Sequence, residues 1–432
     1  MICGHVNRLR RIPRAKAQHR LVRARHILCL CTSLLVSPHT LAAGFYLSEV
    51  GTPGSLGTAG VANPTNTYSA DASWTNPAGM TGVEQDEILS GFQLLLPKNE
   101  FDSSVAQAGG SDGGNAGKVA AIPSFFYAKK LSERSRFGFS ITAPLGGGLD
   151  YGDNFVGRYA TIKALLQGVS ISPSYAYQVN DRLSVGAGVS IIYTIYEQDI
   201  AINQAPIADG KVKFEDATDW GYQPFVGLTY QLSERALLGV VYRAEADVDL
   251  EGDLDFKNLA GPTPPADKVE LSWDNPQLLE IGLRYSLSED TTLFFNVDWE
   301  DWSAFSENQL AFVGGPLSPV VTLDRNWDDT WHVGVALARK LGDDRGYSLG
   351  LSYDSSPVDN DDRTIDLPAD EQYKVSAAYA WKGKKKLDYA IGATLLYAGG
   401  GEVDQTSQGV RFKGEFDKNY ILLLGGTLRY VF

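Results

Sequence analysis

A chain of 432 residues with 38 basic and 52 acidic side chains carries a net charge of −14. That is the wrong sign for a nucleic-acid partner, which needs basic patches. Beyond residue 43 no apolar run approaches the ~18 residues that mark a membrane-crossing helix. With 45 glycines and 21 tyrosines, the remaining classes are a large soluble β protein and an outer-membrane β-barrel.

Residues 1–26 hold eight Lys or Arg and no acid. Ile27–Val36 is then a ten-residue apolar run, followed by Ser37-Pro38-His39 and Thr40-Leu41-Ala42-Ala43. A basic n-region, a short h-region and a small-x-small site predict a secretory signal peptide over residues 1–42, cleaved after Ala42, with Ala43 as the competing site. Ten residues fall short of the ~20 needed to span a bilayer. No small residues lead into Cys29 or Cys31 as lipoprotein processing would require. Cleavage removes all three Cys and four of the five His, leaving His332 and a balance of 30 basic to 52 acidic residues. Disulfide and thiol chemistry go with them.

Residues 43–84 are rich in Gly, Ser, Thr, Asn and Ala and show no helical stripe and no strict alternation. Composition alone also suits a disordered leader. Apolar Phe45, Tyr46 and Leu47 at the start, Trp74 near the end and the turn signal Asn76-Pro77-Ala78-Gly79 favour an ordered plug, because Pro fixes φ while Asn and Gly tolerate turn geometry. Phe45, Tyr46, Leu47, Asn76, Pro77 and Ala78 are the candidate plug contacts to a ligand.

From residue 85 to residue 432 the chain alternates. In Asn419–Phe432 the alternate residues Tyr420, Leu422, Leu424, Gly426, Leu428, Tyr430 and Phe432 share one face. Aromatics at both ends of an aliphatic band are what a lipid-facing strand needs. Leu238–Glu251 sets Leu238, Val240, Tyr242, Ala244, Ala246, Val248 and Leu250 against Gly239, Val241, Arg243, Glu245, Asp247, Asp249 and Glu251. Read as one strand, it puts those charges on a polar lumen. Six short polar turns, among them 131–136, 180–182 and 233–235, alternate with seven long polar loops near 99–117, 146–161, 198–215, 251–269, 303–325, 355–370 and 399–415. That alternation predicts an all-β fold, a 14-stranded antiparallel transmembrane barrel with both termini on the short-turn side. Closure leaves no sheet edge in lipid.

The third strand reads Phe137–Thr142, then Ala143-Pro144-Leu145-Gly146-Gly147-Gly148. Pro lacks a ladder donor. Either the strand ends there and an external loop begins, or Pro144, Gly146, Gly147 and Gly148 make a kink that opens the barrel wall. Pro173 and Pro224 read as bulges. Acids such as Glu245, Asp298 and Glu300 fit a solvated lumen lining better than acid/base pairs, and His332 alternates with Trp331 and Val333 as a lumen residue would. Asp343-Asp344 and Asp359–Asp362 read as solvated loop charges rather than Ca²⁺ ligands. The reading therefore expects no enzyme activity, no cofactor and no metal. A structural or adhesive barrel and a barrel-embedded lipid hydrolase are the alternatives.

Several segments resemble the long-chain fatty acid outer-membrane transporter family (FadL/TodX type). They are Ala43-Gly44-Phe45, Asn76-Pro77-Ala78, Trp302-Ser303-Ala304-Phe305, Asp354-Ser355-Ser356-Pro357-Val358, Arg363-Thr364-Ile365, Leu367-Pro368-Ala369-Asp370 and the terminal Tyr430-Val431-Phe432. The resemblance implies an N-terminal hatch, uptake of hydrophobic molecules, and ligand exit through a kinked third strand into outer-membrane lipid. It also implies recognition of Phe432 by the barrel assembly machinery. Fatty-acid members have a long loop after the fifth strand and basic residues that meet the carboxylate. Here that loop is the short Ile200–Phe214, and the matching neighbourhoods hold Ile200 and Asp328. A carboxylate without a cation lacks charge compensation, so the expected ligand is a neutral hydrocarbon or aromatic.

Overall fold

The computed structural model describes residues 49–264, 266–314 and 320–432. The expected signal peptide and the candidate residues Phe45, Tyr46 and Leu47 lie outside them.

Fourteen antiparallel strands close on themselves. They are β1 (Glu87–Ala106), β2 (Ala120–Lys130), β3 (Ser135–Asp150), β4 (Lys163–Gln178), β5 (Leu183–Ile202) and β6 (Gly210–Ser233). Next come β7 (Ala236–Arg243 and Ala246–Lys257), β8 (Lys268–Asn275 and Leu278–Ser286), β9 (Thr291–Glu300 and Glu307–Val313) and β10 (Val320–Asp324 and Thr330–Lys340). The last four are β11 (Arg345–Asp354), β12 (Gln372–Lys382), β13 (Leu387–Tyr397, extended by Val403–Ser407) and β14 (Val410–Val431). Pairing of β1 with β14, from Glu87↔Val431 onward, seals the barrel. The six short turns fall where the alternation places them. Several expected long loops are instead continuations of strands: β5 runs to Ile202 and β6 starts at Gly210, so the hairpin rises well beyond the ~9–11 residues a crossing needs.

The outer face carries two aromatic girdles. Tyr353, Tyr373, Tyr397 and Tyr420 are successive cross-strand partners at the external level. Trp381 faces Tyr389 at the periplasmic level, their rings 5.8 Å apart. Exposed Val333, Leu349, Leu351, Val375, Ile391 and Leu395 fill the band between. This is the arrangement a bilayer selects, since Arg or Lys at its midplane costs about 2–4 kcal/mol.

One expectation fails instructively. Leu238–Glu251 is not one strand with one polar face. Up to Arg243 the odd-numbered residues point inward; after a break at Ala244-Glu245, Ala246, Val248 and Leu250 are the buried ones and Asp247, Asp249 and Glu251 are exposed. The partner strand breaks opposite, at Pro276-Gln277, between the pairs Ala246↔Asn275 and Leu278↔Arg243. Pro276 has no ladder N–H, and a slip of one residue exchanges the faces of a strand. Glu245, Asp247 and Asp249 therefore lie outside the barrel, just above the girdle residue Tyr242, and the lumen at that level is apolar. Pro173 and Pro224 were expected to bulge. Neither shifts the register of its ladder. Register shifts lie elsewhere, among them Glu100/Phe101, Thr142/Leu145, Tyr196/Gln198 and Glu215/Thr218.

The segment before β1 folds into short helical turns, Pro53–Leu56, Asn63–Thr65, Ala72–Thr75 and Pro77–Gly82, and fills the periplasmic half of the lumen as a plug. Trp74 and Met80 pack on Leu89, Phe126 and Ala176 of the wall. Wall glycines make the room. A Cβ on Gly239 would lie 1.9 Å from the Pro64 carbonyl oxygen, and one on Gly227 would lie 2.1 Å from Asn76 Oδ1. Gly239→Leu is expected to push the plug off the wall at a cost of at least ~1–3 kcal/mol. Ion conductance of the purified barrel in a planar bilayer checks this: it should rise for Gly239→Leu and stay at the parent level for the lipid-facing Leu349→Ile.

Candidate functional site

Above the plug the lumen is an aromatic chamber. The 3₁₀ turn Trp302–Phe305 interrupts β9, and its three-residue period carries Trp302 and Phe305 on one face into the lumen. Trp327 lies 5.4 Å from Trp302 and 4.9 Å from Phe305, and Trp273 lies 6.0 Å from Phe305, mostly in edge-to-face geometry. Tyr196, Leu166, Phe214, Val248, Leu250 and Leu271 complete the wall. The side chains fill the space, and the cavities left have volumes of about 20 and 30 Å³. Each is about the size of one water.

A charged layer separates chamber from plug. Glu280, Asp298, His332 and Asp354 are successive cross-strand partners on β8 to β11. His332 Nδ1 is 2.8 Å from Asp354 and its Nε2 is 4.0 Å from Asp298. Lys374 Nζ lies 3.2 Å from Asp354 and 3.2 Å from Glu49 of the N-terminal segment. Trp302 at the chamber floor donates its indole N–H to Glu300, 2.6 Å away. Arg243 donates to the Trp74 carbonyl and lies over the rings of Trp74 and Phe225. His332 is flanked by carboxylates rather than by a hydroxyl, so the layer binds plug to wall and presents no Ser-His-Asp geometry.

Residues 355–371 fold inward over the chamber. Arg363 fixes their base by donating to the carbonyls of Ala369 at 2.7 Å and Val358 at 3.2 Å and to the Asp370 carboxylate at 3.0 Å. Arg325, buried beside Phe305, donates to both Asp366 oxygens at 3.4 and 2.9 Å and to Asn308 at 2.7 Å. Burial alone would push the Asp366 carboxyl up, but the Arg325 guanidinium holds it below its usual range.

The expected opening residues border this chamber. The β2–β3 ladder runs from Lys130↔Arg136 to Phe125↔Ile141 and stops, resuming only at the isolated bridge Gly117↔Leu149. On its other side β3 skips Ala143-Pro144 before pairing Leu145 with Gly168 of β4. Gly146, Gly147 and Gly148 thus pair with β4 alone, and Gly147 and Gly148 line the smaller cavity. Pro144 sits where the ladder shifts. Pro123 of β2, overlooked in the alternation, is a second residue without an N–H beside the gap.

Asn76, Pro77 and Ala78 are elsewhere. Asn76 accepts from Ala78 N at 3.1 Å and donates to the carbonyls of Pro64 at 2.6 Å and Leu228 at 3.2 Å. The triplet pins plug to β6 and lines neither chamber cavity. Ile200 packs against the chamber and Asp328 is exposed. Alternation of Arg325 with Trp327 was the available sign that a cation points inward.

Lys374→Met leaves Glu49 and Asp354 buried without their shared cation, and is expected to cost about 3–5 kcal/mol in denaturant unfolding from detergent. Adding Glu49→Gln should recover part of that loss. A carboxyl held below its usual value contributes stability above that value and loses it as pH falls through the lowered one. Arg325, Thr364, Tyr151 and Tyr196 face Asp366. Proteolytic cleavage within residues 355–371 should therefore stay constant from about pH 8 to about 4 and rise below.

Residues 33–432 match the family model described as outer membrane protein transport protein (OMPP1/FadL/TodX). The long-chain fatty acid transport protein of Salmonella typhi is 20% identical over 393 residues, covering 84% of this chain and 89% of that protein. The putative outer membrane protein NMB0088 of Neisseria meningitidis serogroup B is 25% identical over 388 residues, covering 78% and 83%. Among solved structures, a Pseudomonas aeruginosa FadL homologue superposes with a TM-score of 0.81 at 18% identity, over 90% of this chain and 100% of that one. The P. putida toluene transporter TodX superposes with a TM-score of 0.70 at 17% identity, over 89% and 99%. The chain belongs to this OMPP1/FadL/TodX family of non-enzymatic outer-membrane channels, and is an outer-membrane β-barrel transporter of hydrophobic compounds.

Proposed function

We propose that the chain takes up small neutral hydrophobic molecules, hydrocarbons or aromatics, and releases them sideways into the outer membrane between β2 and β3. The interrupted β2–β3 ladder beside an aromatic chamber carries this reading. In lipid an unpaired strand edge is costly, so a gap kept beside two prolines and three glycines is a feature with a use. A ligand leaving there never crosses the plug or the water beneath it.

The chamber's charge supports the neutral class. Arg325 is already neutralised by Asp366, and Lys374 by Asp354 and Glu49. An incoming carboxylate would have to displace a protein carboxylate or stay uncompensated. The similar proteins carry names for both long-chain fatty acid and toluene transport; the charge pairing favours the second. Phe432, half exposed on the lipid face, is proposed as the residue the assembly machinery reads.

Two outcomes check this reading. Gly147→Trp should abolish uptake of a neutral aromatic by cells while unheated protein keeps the electrophoretic mobility of a folded barrel. Survival of uptake would count against lateral release. Purified protein should bind toluene saturably, and a long-chain fatty acid at up to tenfold excess should not displace it.

A further inference from the structure

The two chamber cavities are neighbours. The smaller is lined by Gly147, Gly148 and Leu149 at the wall gap and by Asp366–Ala369. The larger is lined by Trp273, Phe305, Leu310 and Arg325. Leu166, Tyr196 and Leu367 line both. Leu166 and Tyr196 belong to paired strands of the wall, facing each other across β4 and β5. Leu367 does not: it is carried on a loop turn closed by Leu367 N donating to the Thr364 carbonyl at 3.3 Å and Ala369 N donating to the Leu367 carbonyl at 2.8 Å. Of the three, it alone can move without breaking a barrel ladder.

We infer that the two cavities are the ends of one tunnel from chamber to membrane, and that Leu367 is the partition that closes it and sets the length of ligand that passes. The inference rests on the lateral route proposed above. The Arg325–Asp366 ion pair spans the same partition, with its arginine on the chamber side and its aspartate on the gap side, and it holds Leu367 in place. A compact aromatic the size of toluene exceeds either cavity as it stands and passes from one to the other as Leu367 and the side chains around it swing aside. A long chain must reach through the positions of both cavities at once and needs the turn displaced. The rest of the loop stays anchored, because Arg363 holds its base and the Tyr151 hydroxyl donates to the Ile365 carbonyl at 3.0 Å.

The experiment compares transfer of two neutral probes, toluene and hexadecane, into lipid vesicles by the full chain and by Leu367→Ala, Leu367→Trp and the exposed-loop control Asp361→Ala. Folding of each is verified by the mobility of the unheated sample. Leu367→Ala should raise the hexadecane-to-toluene rate ratio roughly tenfold, the low end of what one methylene of room in an apolar pocket is worth. Leu367→Trp should lower it, and Asp361→Ala should leave it unchanged. An unchanged ratio in both Leu367 variants overturns the partition. If Gly147→Trp still stops transfer in that case, the lateral route stands and only the partition falls. If Gly147→Trp does not stop transfer, route and partition fall together.

Discussion

Backbone pairing in lipid is the constraint on which this structure depends. No water reaches the bilayer core, so each N–H and C=O there must find a partner within the chain. Fourteen strands closed by the β1–β14 ladder meet that demand along most of the described wall, and a long interruption lies beside β3. There Pro123 and Pro144, which have no N–H to satisfy, and the run Gly146–Gly148, which has no side chains to fill the space, make an interruption tolerable. The interruption also takes in residues such as Ser124 and Thr142, and the prolines and glycines among them lower what it costs.

Within that wall the lumen is layered by charge. Helical turns seated against wall glycines fill the periplasmic half. Glu280, Asp298, His332, Asp354 and Lys374 form a paired polar layer over them and tie in Glu49 of the N-terminal segment. An aromatic chamber lies above and is closed by a loop pinned through Arg325–Asp366. The breaks at Ala244-Glu245 and Pro276-Gln277 make this layering possible. Below them the two strands turn Val240, Tyr242, Leu279 and Ile281 to lipid, and Val241, Arg243, Glu280 and Arg284 face the plug side. Above them the same two strands turn acids to the aqueous exterior and apolar residues to the aromatic chamber. One change of phase converts a membrane wall into the wall of a greasy pocket.

Much of the fold was legible because its cause is periodic. Alternation marked the strands, and the contrast of short and long connections counted them. The third-strand proline and glycines stood out because they break the pattern. The inversion in β7 was illegible because alternation from Tyr242 to Glu251 runs unbroken across the break, and which face it shows depends on the backbone of β8. The chamber was illegible for a different reason. Trp273, Phe305 and Trp327 come from the successive strands β8, β9 and β10, and the pairing of those strands with the 3₁₀ turn at Trp302–Phe305 brings them together. Asn76-Pro77-Ala78 was visible as a motif, yet its place is at the plug–wall contact, because the Asn76 side chain is consumed by the backbone groups of Ala78, Pro64 and Leu228.

The most direct measurement is of where a ligand first appears. Purified protein would be placed in vesicles with a lipopolysaccharide outer leaflet, and pyrene, a neutral aromatic, added outside. One set would carry a lipid-tethered nitroxide quencher, the other iodide trapped in the vesicle lumen. The account requires quenching by the nitroxide without a lag and before any quenching by iodide. Quenching by lumenal iodide first would mean that the ligand passes through the plug, and would contradict lateral delivery.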